Sequence, residues 1–217
     1  PTEPETPAPS AGINVPAAPS AEQVPEIVAP YTDVQGDDWY AEYAAYMINS
    51  GLMSGTSADS FSPNASLTRG MLVTILHRAA GLPAAGTAPF DDVNAGDWYA
   101  NGVAWASALG VVTGYNDGTF APNGNITRQE LAVILWRFAQ KLGISVAADG
   151  TTMPDFADRG EIASWAGEAM SWAYRTGILT GRNGNLLAPT DGATRAEAAA
   201  MLTRFLKLVE NSQSPKQ

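Results

Sequence analysis

The chain has 217 residues, a formal net charge of −10 and no cysteine. The acidic balance argues against nucleic acid as a partner, because phosphate recognition needs a basic face. The lack of cysteine excludes a disulfide framework, a thiol nucleophile and a thiolate metal site. No apolar run reaches the roughly 18 residues that a membrane-spanning helix needs, so no membrane insertion is expected.

The first segment, residues 1–29, is rich in proline and alanine and carries four acids and no base. Such a composition buries too little apolar surface to offset its ordering entropy. We therefore predict a linker here, and we expect another domain upstream in a longer protein. Residues 211–217 are predicted to form a tail.

The remainder is a threefold repeat with predicted boundaries at 30–88, 89–153 and 154–210. The repeats align on three tryptophans, Trp39, Trp98 and Trp165. In every copy a glycine stands 12 and again 16 residues after the tryptophan, a proline 24 residues after it, and an arginine 30 residues after it. The segment 154–217 has seven basic and seven acidic residues, so this part is the most tolerant of an anionic ligand.

Each repeat predicts a helix, a loop and a second helix. The first helices are expected to begin at good N-cap residues directly before the tryptophans, Asp38, Asp97 and Ser164. The second helices are expected to begin at Thr68, Thr127 and Thr194. Since the second helices are apolar over much of their circumference, they should be the most buried elements. The sequence predicts an all-α fold in which three repeats share one core.

Five motifs at fixed spacing resemble the S-layer homology family over roughly residues 30–210. They are Phe90-Asp91-Asp92-Val93, Trp98, Gly110-Val111-Val112-Thr113-Gly114, Phe120-Ala121-Pro122 and Thr194-Arg195-Ala196-Glu197. The resemblance implies a mainly helical, pseudo-threefold spindle around a central bundle of the three second helices. It also implies non-covalent anchoring to a secondary cell wall polysaccharide, often pyruvylated, that is linked to peptidoglycan. The expected location is the bacterial cell surface, within the cell wall or S-layer.

The resemblance further implies ligand grooves between adjacent repeats, with no catalytic residue, metal or cofactor, in a chain that is monomeric in isolation. Twelve residues are the candidates for ligand binding: Arg69, Arg128, Arg195, Asp33, Asp92, Asp158, Trp39, Trp98, Trp165, Gly55, Gly114 and Gly181.

The residues themselves leave alternatives open at these positions. An arginine in the first turn of a helix opposes the helix dipole, so something should compensate. It could form an ion pair with one of the three aspartates, or bind a sugar carboxylate with help from free N–H groups at the helix start. The tryptophans could stack on sugars or pack in the core. The glycines could allow positive φ in turns or let a ligand approach the backbone.

Two departures from the family pattern predict unequal grooves. Repeat 1 has Gly70-Met71 in place of Ala-Glu, so its second helix lacks a reciprocal capping box, and Arg69 is expected to be less fixed than the other two arginines. Repeat 3 has Leu187 in place of an aromatic residue. The alternative function is a structural, self-assembling surface module without its own glycan ligand. An enzyme is not expected, because no pair of acids is predicted across a sugar cleft.

Overall fold

The computed structural model describes residues 31–147, 152–182 and 185–213. It contains the α-helices α1 (Ala41–Asn49), α2 (Arg69–Ala79), α3 (Ala100–Ala108), α4 (Arg128–Lys141), α5 (Gly167–Arg175) and α6 (Arg195–Gln213). Two short 3-10 helices, Arg159–Glu161 and Ser164–Ala166, precede α5. These ranges hold isolated bridges but no strand, so the prediction of an all-α fold is confirmed. The predicted linker lies outside the described residues, and α6 extends three residues into the predicted tail.

The second helix of each repeat begins where the sequence predicts. Thr68 and Thr127 have extended backbones, and each side chain accepts an N–H from the first turn. The N–H of Thr127 in turn donates to Glu130, which completes a capping box. The start of α6 has the same reciprocal pair of bonds. In repeat 1 the corresponding residue is Met71, which can donate its N–H but cannot return a bond.

Each first helix begins two residues later than predicted, with its N-cap at Tyr40, Tyr99 or Ala166. The carboxylates of Asp38 and Asp97 do not cap α1 and α3; they accept the N–H groups of Gln35 and Asn94 and close a turn upstream of each helix. Ser164 opens a 3-10 helix instead of α5. The prediction was wrong because a short aspartate side chain can bond to nearby backbone in a turn as well as at a helix start.

Helix packing occurs between repeats and follows a cyclic order. Helix α1 packs on α6, α3 packs on α2, and α5 packs on α4. Each first helix therefore lies on the second helix of the preceding repeat, and repeat 1 follows repeat 3. Helices α4 and α6 also touch each other, and the rings of Phe138 and Phe205 stack with centroids 5.8 Å apart. One aromatic residue at the equivalent position of each first helix is buried in this shared core: Tyr46, Trp105 and Trp172.

A closed ring of three backbone hydrogen bonds joins the repeats. The N–H of Leu67 donates to the carbonyl of Ala193 (2.9 Å), Ala193 donates to Ile126 (2.8 Å), and Ile126 donates to Leu67 (3.0 Å). All three residues are fully buried. Each stands two positions before a first-turn arginine, so the ring places the three arginines around one axis.

Candidate functional site

Two cavities open between the repeats, beside the loops that join the first and second helices. Groove 3 lies at the loop between α5 and α6 and has a volume of about 320 Å³. Groove 2 lies at the loop between α3 and α4 and has a volume of about 460 Å³. The lining of groove 3 includes Trp39, Arg128, Gly181, Arg182, Glu197 and Arg204. The lining of groove 2 includes Trp165, Arg69, Gly114, Tyr115, Glu130 and Arg137.

All three repeats contribute to each of these grooves. Groove 2 takes its loop from repeat 2, Arg69 from repeat 1 and Trp165 from repeat 3. The equivalent sequence positions at the loop between α1 and α2, which we call groove 1, are Trp98, Arg195, Gly55, Met71 and Arg78. Arg195 indeed bonds to that loop. The tryptophan, glycine and arginine predicted within one repeat therefore belong to three different grooves.

The three first-turn arginines are buried, with 3 to 6% of each residue exposed. In each, Nε and Nη2 donate to two backbone carbonyls of the following repeat's loop. The Nε acceptors of Arg69, Arg128 and Arg195 are Phe120 (2.9 Å), Leu187 (2.8 Å) and Phe61 (2.8 Å). The Nη2 acceptors are Thr113 (3.2 Å), Thr180 (2.8 Å) and Ser54 (2.6 Å). The arginines thus tie each second helix to the next loop, and Arg69 makes the same two bonds as the other two.

The remaining guanidinium nitrogen distinguishes the grooves. In groove 3, Nη1 of Arg128 lies 3.0 Å from Oε1 of Glu197. In groove 2, Nη1 of Arg69 lies 3.8 Å from Oε1 of Glu130. Burial lowers the pKa of Arg128, while Glu197 opposes that shift. Each of these arginines therefore has a carboxylate at its third nitrogen.

Arg195 has no such partner. Met71 stands at the position that glutamate occupies in the other two grooves. Nη1 of Arg195 forms neither a hydrogen bond nor an ion pair with the described residues. Burial lowers the pKa of Arg195, and only the more distant Tyr31 and Asp33 oppose it. The unequal grooves that the sequence predicts thus differ in the charge that faces their arginine.

The N–H groups at the starts of the second helices, which one of the two alternatives for the arginines required to be free, already have partners. The N–H of Arg69 donates to the carbonyl of Gly124 (2.9 Å), and that of Gly70 donates to Pro122 (2.8 Å). The same two bonds recur at α4 and α6. The neighbouring loop therefore satisfies these donors, and they are not open to a ligand.

The aspartates that open the repeats form no ion pair with the arginines within the described residues, so that interpretation was wrong. Each instead accepts two consecutive loop N–H groups. The carboxylate of Asp158, for example, accepts from Leu187 (2.9 Å) and Ala188 (2.6 Å). Ala188 has φ of 48°, as Ser62 and Ala121 have positive φ in the other loops. Asp33 and Asp92 bind their loops in the same way.

The hydrogen bonds to Asp158 and Asp33 favour the ionised form of each carboxyl group. Burial alone would raise the pKa of Asp158, but the two N–H donors outweigh it and hold the pKa below its usual value. The pKa of Asp33 is lowered in the same way, against burial, by Ser60, Phe61 and Ser62. Since the carbonyls of Leu187 and Phe61 also accept from first-turn arginines, each aspartate acts on its groove through the loop backbone.

The second glycine of each repeat is required by close packing. Gly55, Gly114 and Gly181 do not have positive φ, so the turn interpretation was wrong. A Cβ at Gly181 would lie 2.9 Å from the ring of Phe156 and 3.1 Å from the carbonyl of Leu186, and the other two glycines are as crowded. The aromatic residue that opens each repeat occupies this space, so the glycines let the loop lie close to that ring.

The tryptophans that align the repeats are exposed. Trp39, Trp98 and Trp165 have 61, 60 and 59% of their surface accessible. Trp39 meets the edge of the Tyr40 ring, with centroids 5.4 Å apart, and Trp98 meets Tyr99 in the same way. Plain core packing is excluded by this exposure. The indoles can therefore contact a molecule that enters the grooves.

Each repeat has a second arginine that the sequence motifs did not predict as a site residue. Arg78, Arg137 and Arg204 follow the first-turn arginine by nine residues in every copy, a spacing as constant as the motifs already used. Arg137 lines groove 2 and Arg204 lines groove 3. The guanidinium of Arg204 lies 4.8 Å from the ring centre of Tyr43 and donates to its hydroxyl. Grooves 2 and 3 thus each have an arginine at the base and another on the helical wall.

Groove 3 contains a further ion-pair network. Arg182 occupies the loop position that is Tyr115 in groove 2, and it pairs with Glu197 and Asp191. Burial would raise the pKa of Glu197, but the hydrogen bonds from Arg182 and Thr194 and the charges of the two arginines together lower it. The bond to Glu197 in turn raises the pKa of Arg182. In groove 3, Arg182 and Arg128 are therefore charged and form ion pairs with carboxylates of the same chain.

The S-layer homology domain family matches three segments, residues 30–70, 89–132 and 155–199. The chain belongs to the S-layer homology domain family. It is 30% identical over 195 residues to an S-layer protein of Bacillus thuringiensis subsp. finitimus, covering 89% of this chain and 22% of that protein. It is 26% identical over 185 residues to a cellulosome-anchoring protein of Acetivibrio thermocellus, covering 82% of this chain and 39% of that protein.

Enzymes also carry S-layer homology domains. An amylopullulanase of Thermoanaerobacterium thermosulfurigenes is 30% identical over 179 residues, which are 82% of this chain and 9% of the enzyme. The chain therefore spans well under half the length of these curated relatives. The S-layer homology region itself is a non-catalytic module for cell-surface anchoring, associated with the cell wall. None of the helices in the described ranges has the length and apolar character needed to cross a membrane.

Proposed function

We propose that this chain anchors its parent protein by binding an anionic secondary cell wall polysaccharide, with carboxylates such as pyruvate ketals, in the grooves between its repeats. The observation that carries the proposal is the pairing of an exposed tryptophan with arginines across one cavity in grooves 2 and 3. A sugar ring offers a C–H face for the indole, and its carboxylate suits a guanidinium.

The charge distribution supports this ligand class. Although the chain is acidic overall, groove 3 is lined by three arginines and one glutamate. A locally positive cleft with low-dielectric walls can attract an anion despite an unfavourable net charge. On this proposal the tryptophans and arginines contact the sugar, while Asp33, Asp92, Asp158 and the second glycines shape the loops.

The test is retention on purified cell walls before and after the polysaccharide is stripped, together with calorimetric titration of a pyruvylated wall disaccharide. The same disaccharide without the ketal is the control. Retention that depends on the polysaccharide, with heat only from the pyruvylated sugar, supports the proposal. Equal retention on stripped walls contradicts it.

One observation favours the alternative of a structural, self-assembling module. All three guanidinium nitrogens of Arg128 are used by bonds within the chain. An assembly module would self-associate at high concentration and bind stripped walls as well as intact ones. Light scattering that shows a monomer throughout would remove this alternative.

A further inference from the structure

We infer that Arg137, on the helical wall of groove 2, is the residue that binds the ligand's carboxylate most tightly, ahead of the first-turn arginines at the base of the grooves. This assignment rests on the proposed function and deepens it, since it names the cation that recognises the anion. Groove 3 takes the same ligand more weakly, because its arginines already have partners within the chain.

Arg137 is an arginine without a protein partner beside a large cavity. It is half-buried and lines groove 2, and it forms neither a hydrogen bond nor an ion pair with the residues that the structure describes. The equivalent Arg204 of groove 3 donates to the hydroxyl of Tyr43 at 3.0 Å. Tyr43 stands on α1, four residues after the aligned tryptophan, and the same position of α5 is Ala169. Alanine cannot accept a hydrogen bond, so a ligand that enters groove 2 meets a guanidinium group whose donors are available.

The first-turn arginine of groove 2 is covered by the chain. The guanidinium carbon of Arg69 lies 5.0 Å from the ring centre of Tyr115 and 4.6 Å from that of Phe120. Its Nε and Nη2 donate to backbone carbonyls, and Nη1 faces Glu130 at 3.8 Å. A carboxylate that approached Nη1 would meet the like charge of Glu130, which opposes binding. Arg69 therefore holds the loop, and the anion is left to the wall of the groove.

The arginines of groove 3 all have partners. The three nitrogens of Arg128 donate to acceptors of the chain. Arg182 forms two hydrogen bonds with the carboxylate of Glu197, and Arg204 bonds to a tyrosine of α1. Breaking an established ion pair costs free energy. A carboxylate in groove 3 must therefore displace a partner, whereas one at Arg137 displaces none.

The acid of groove 2 lies far from this arginine. Glu130 stands seven residues before Arg137 on α4, which is about 10 Å along the helix axis. Its Oε2 accepts the N–H and the hydroxyl of Thr127, each at 2.8 Å, so the side chain is held at the start of the helix. The exposed Trp165 lines the same cavity and offers its face to a sugar ring. A sugar on this indole can place its carboxylate at Arg137 and away from Glu130.

The experiment is calorimetric titration of the full chain with the pyruvylated wall disaccharide. Arg137→Met removes the charge and keeps an apolar stem, and it should lose about tenfold or more in affinity because a charged hydrogen bond is lost. Arg137→Lys keeps the charge without the planar fork, so its affinity should lie between those of wild type and Arg137→Met. Arg204→Met should lose less affinity than Arg137→Met, because Arg204 already has a partner in the chain.

Stability separates a binding role from a structural one. Arg137 has no partner to lose among the described residues, so the Tm of Arg137→Met should stay within a few degrees of wild type. Arg159→Met is the matched control. Arg159 is exposed, is not among the described residues that line groove 2 or groove 3, and changes the net charge by the same amount. Its affinity should stay within about threefold of wild type, because distant exposed charges are screened by salt.

The other outcomes overturn a stated claim. Equal affinity of wild type and Arg137→Met, in proteins that intact walls retain and stripped walls do not, would overturn the assignment to Arg137 and leave anchoring intact. A loss in Arg204→Met or Arg159→Met as large as that in Arg137→Met would also overturn it. Wild type that is not retained by intact walls would overturn the proposed function, and the assignment with it.

Discussion

Replacing Arg128 by alanine tests whether the first-turn arginines hold the repeats together. Arg128 is 3% exposed and joins the start of α4 to the loop of repeat 3 and to Glu197 on α6. The variant removes all these bonds at once and leaves the carbonyls of Leu187 and Thr180 without the arginine donor. It should destabilise the fold even when no ligand is present.

The magnitude follows from the accessibility of those acceptors. The carbonyl of Leu187 is buried, and leaving it unsatisfied costs about 1–3 kcal/mol. Thr180 is exposed, so its carbonyl can bond to water and adds about 1 kcal/mol or less. Loss of the bond to Glu197 adds about 1–2 kcal/mol, partly offset because Arg182 still pairs with that carboxylate. The total is about 2–6 kcal/mol.

The assay is urea and thermal unfolding followed by circular dichroism. Since each kcal/mol shifts Tm by about 2–4 °C in a domain of this size, Tm should fall by about 4–24 °C. Lys207→Ala is the control, because it removes an exposed ion pair with Glu42 at 3.5 Å and should cost less than about 1 kcal/mol. A loss below about 1 kcal/mol in Arg128→Ala would refute the argument that the arginine ties the repeats together.

Three further predictions concern the loops and the exposed indoles. Gly114→Ala should lower the free energy of unfolding in urea by about 2–4 kcal/mol, because its Cβ would collide with an aromatic ring and a carbonyl. The control is Gly96→Ala, which should be nearly neutral because a Cβ at Gly96 meets open space. Asp158→Asn should lower the free energy of unfolding at pH 7, and by a smaller amount at pH 3. The folded-state pKa of this carboxylate is depressed, so its stabilisation is present above the usual value of 3.8 and is lost as the pH falls through the folded pKa. Equal losses at both pH values would contradict that assignment. Trp98→Ala should weaken wall binding about fivefold or more, because the exposed indole can contact the sugar. Its Tm should stay within a few degrees of wild type, since the indole is not part of the core. A large drop in Tm would show that Trp98 packs against the fold instead.

Some parts of the fold could be predicted from short stretches of sequence. The starts of α2 and α4 follow from a threonine N-cap and the apolar residues after it, which are interactions within one turn. The missing capping box of repeat 1 follows from Met71 in the same way. The starts of α1 and α3 could not be decided locally, because Asp38 and Asp97 had two possible sets of N–H partners.

The sequence by itself determined the threefold repeat, the all-α class, the buried second helices and the S-layer homology family, because these depend on spacing and on patterns within a few residues. Only the tertiary structure decided which residues share a groove, that the tryptophans are exposed, and that the aspartates bind the loops. The bond from Arg195 to Ser54 spans 141 residues. No local pattern encodes such a contact, since it depends on how three similar repeats close around one axis.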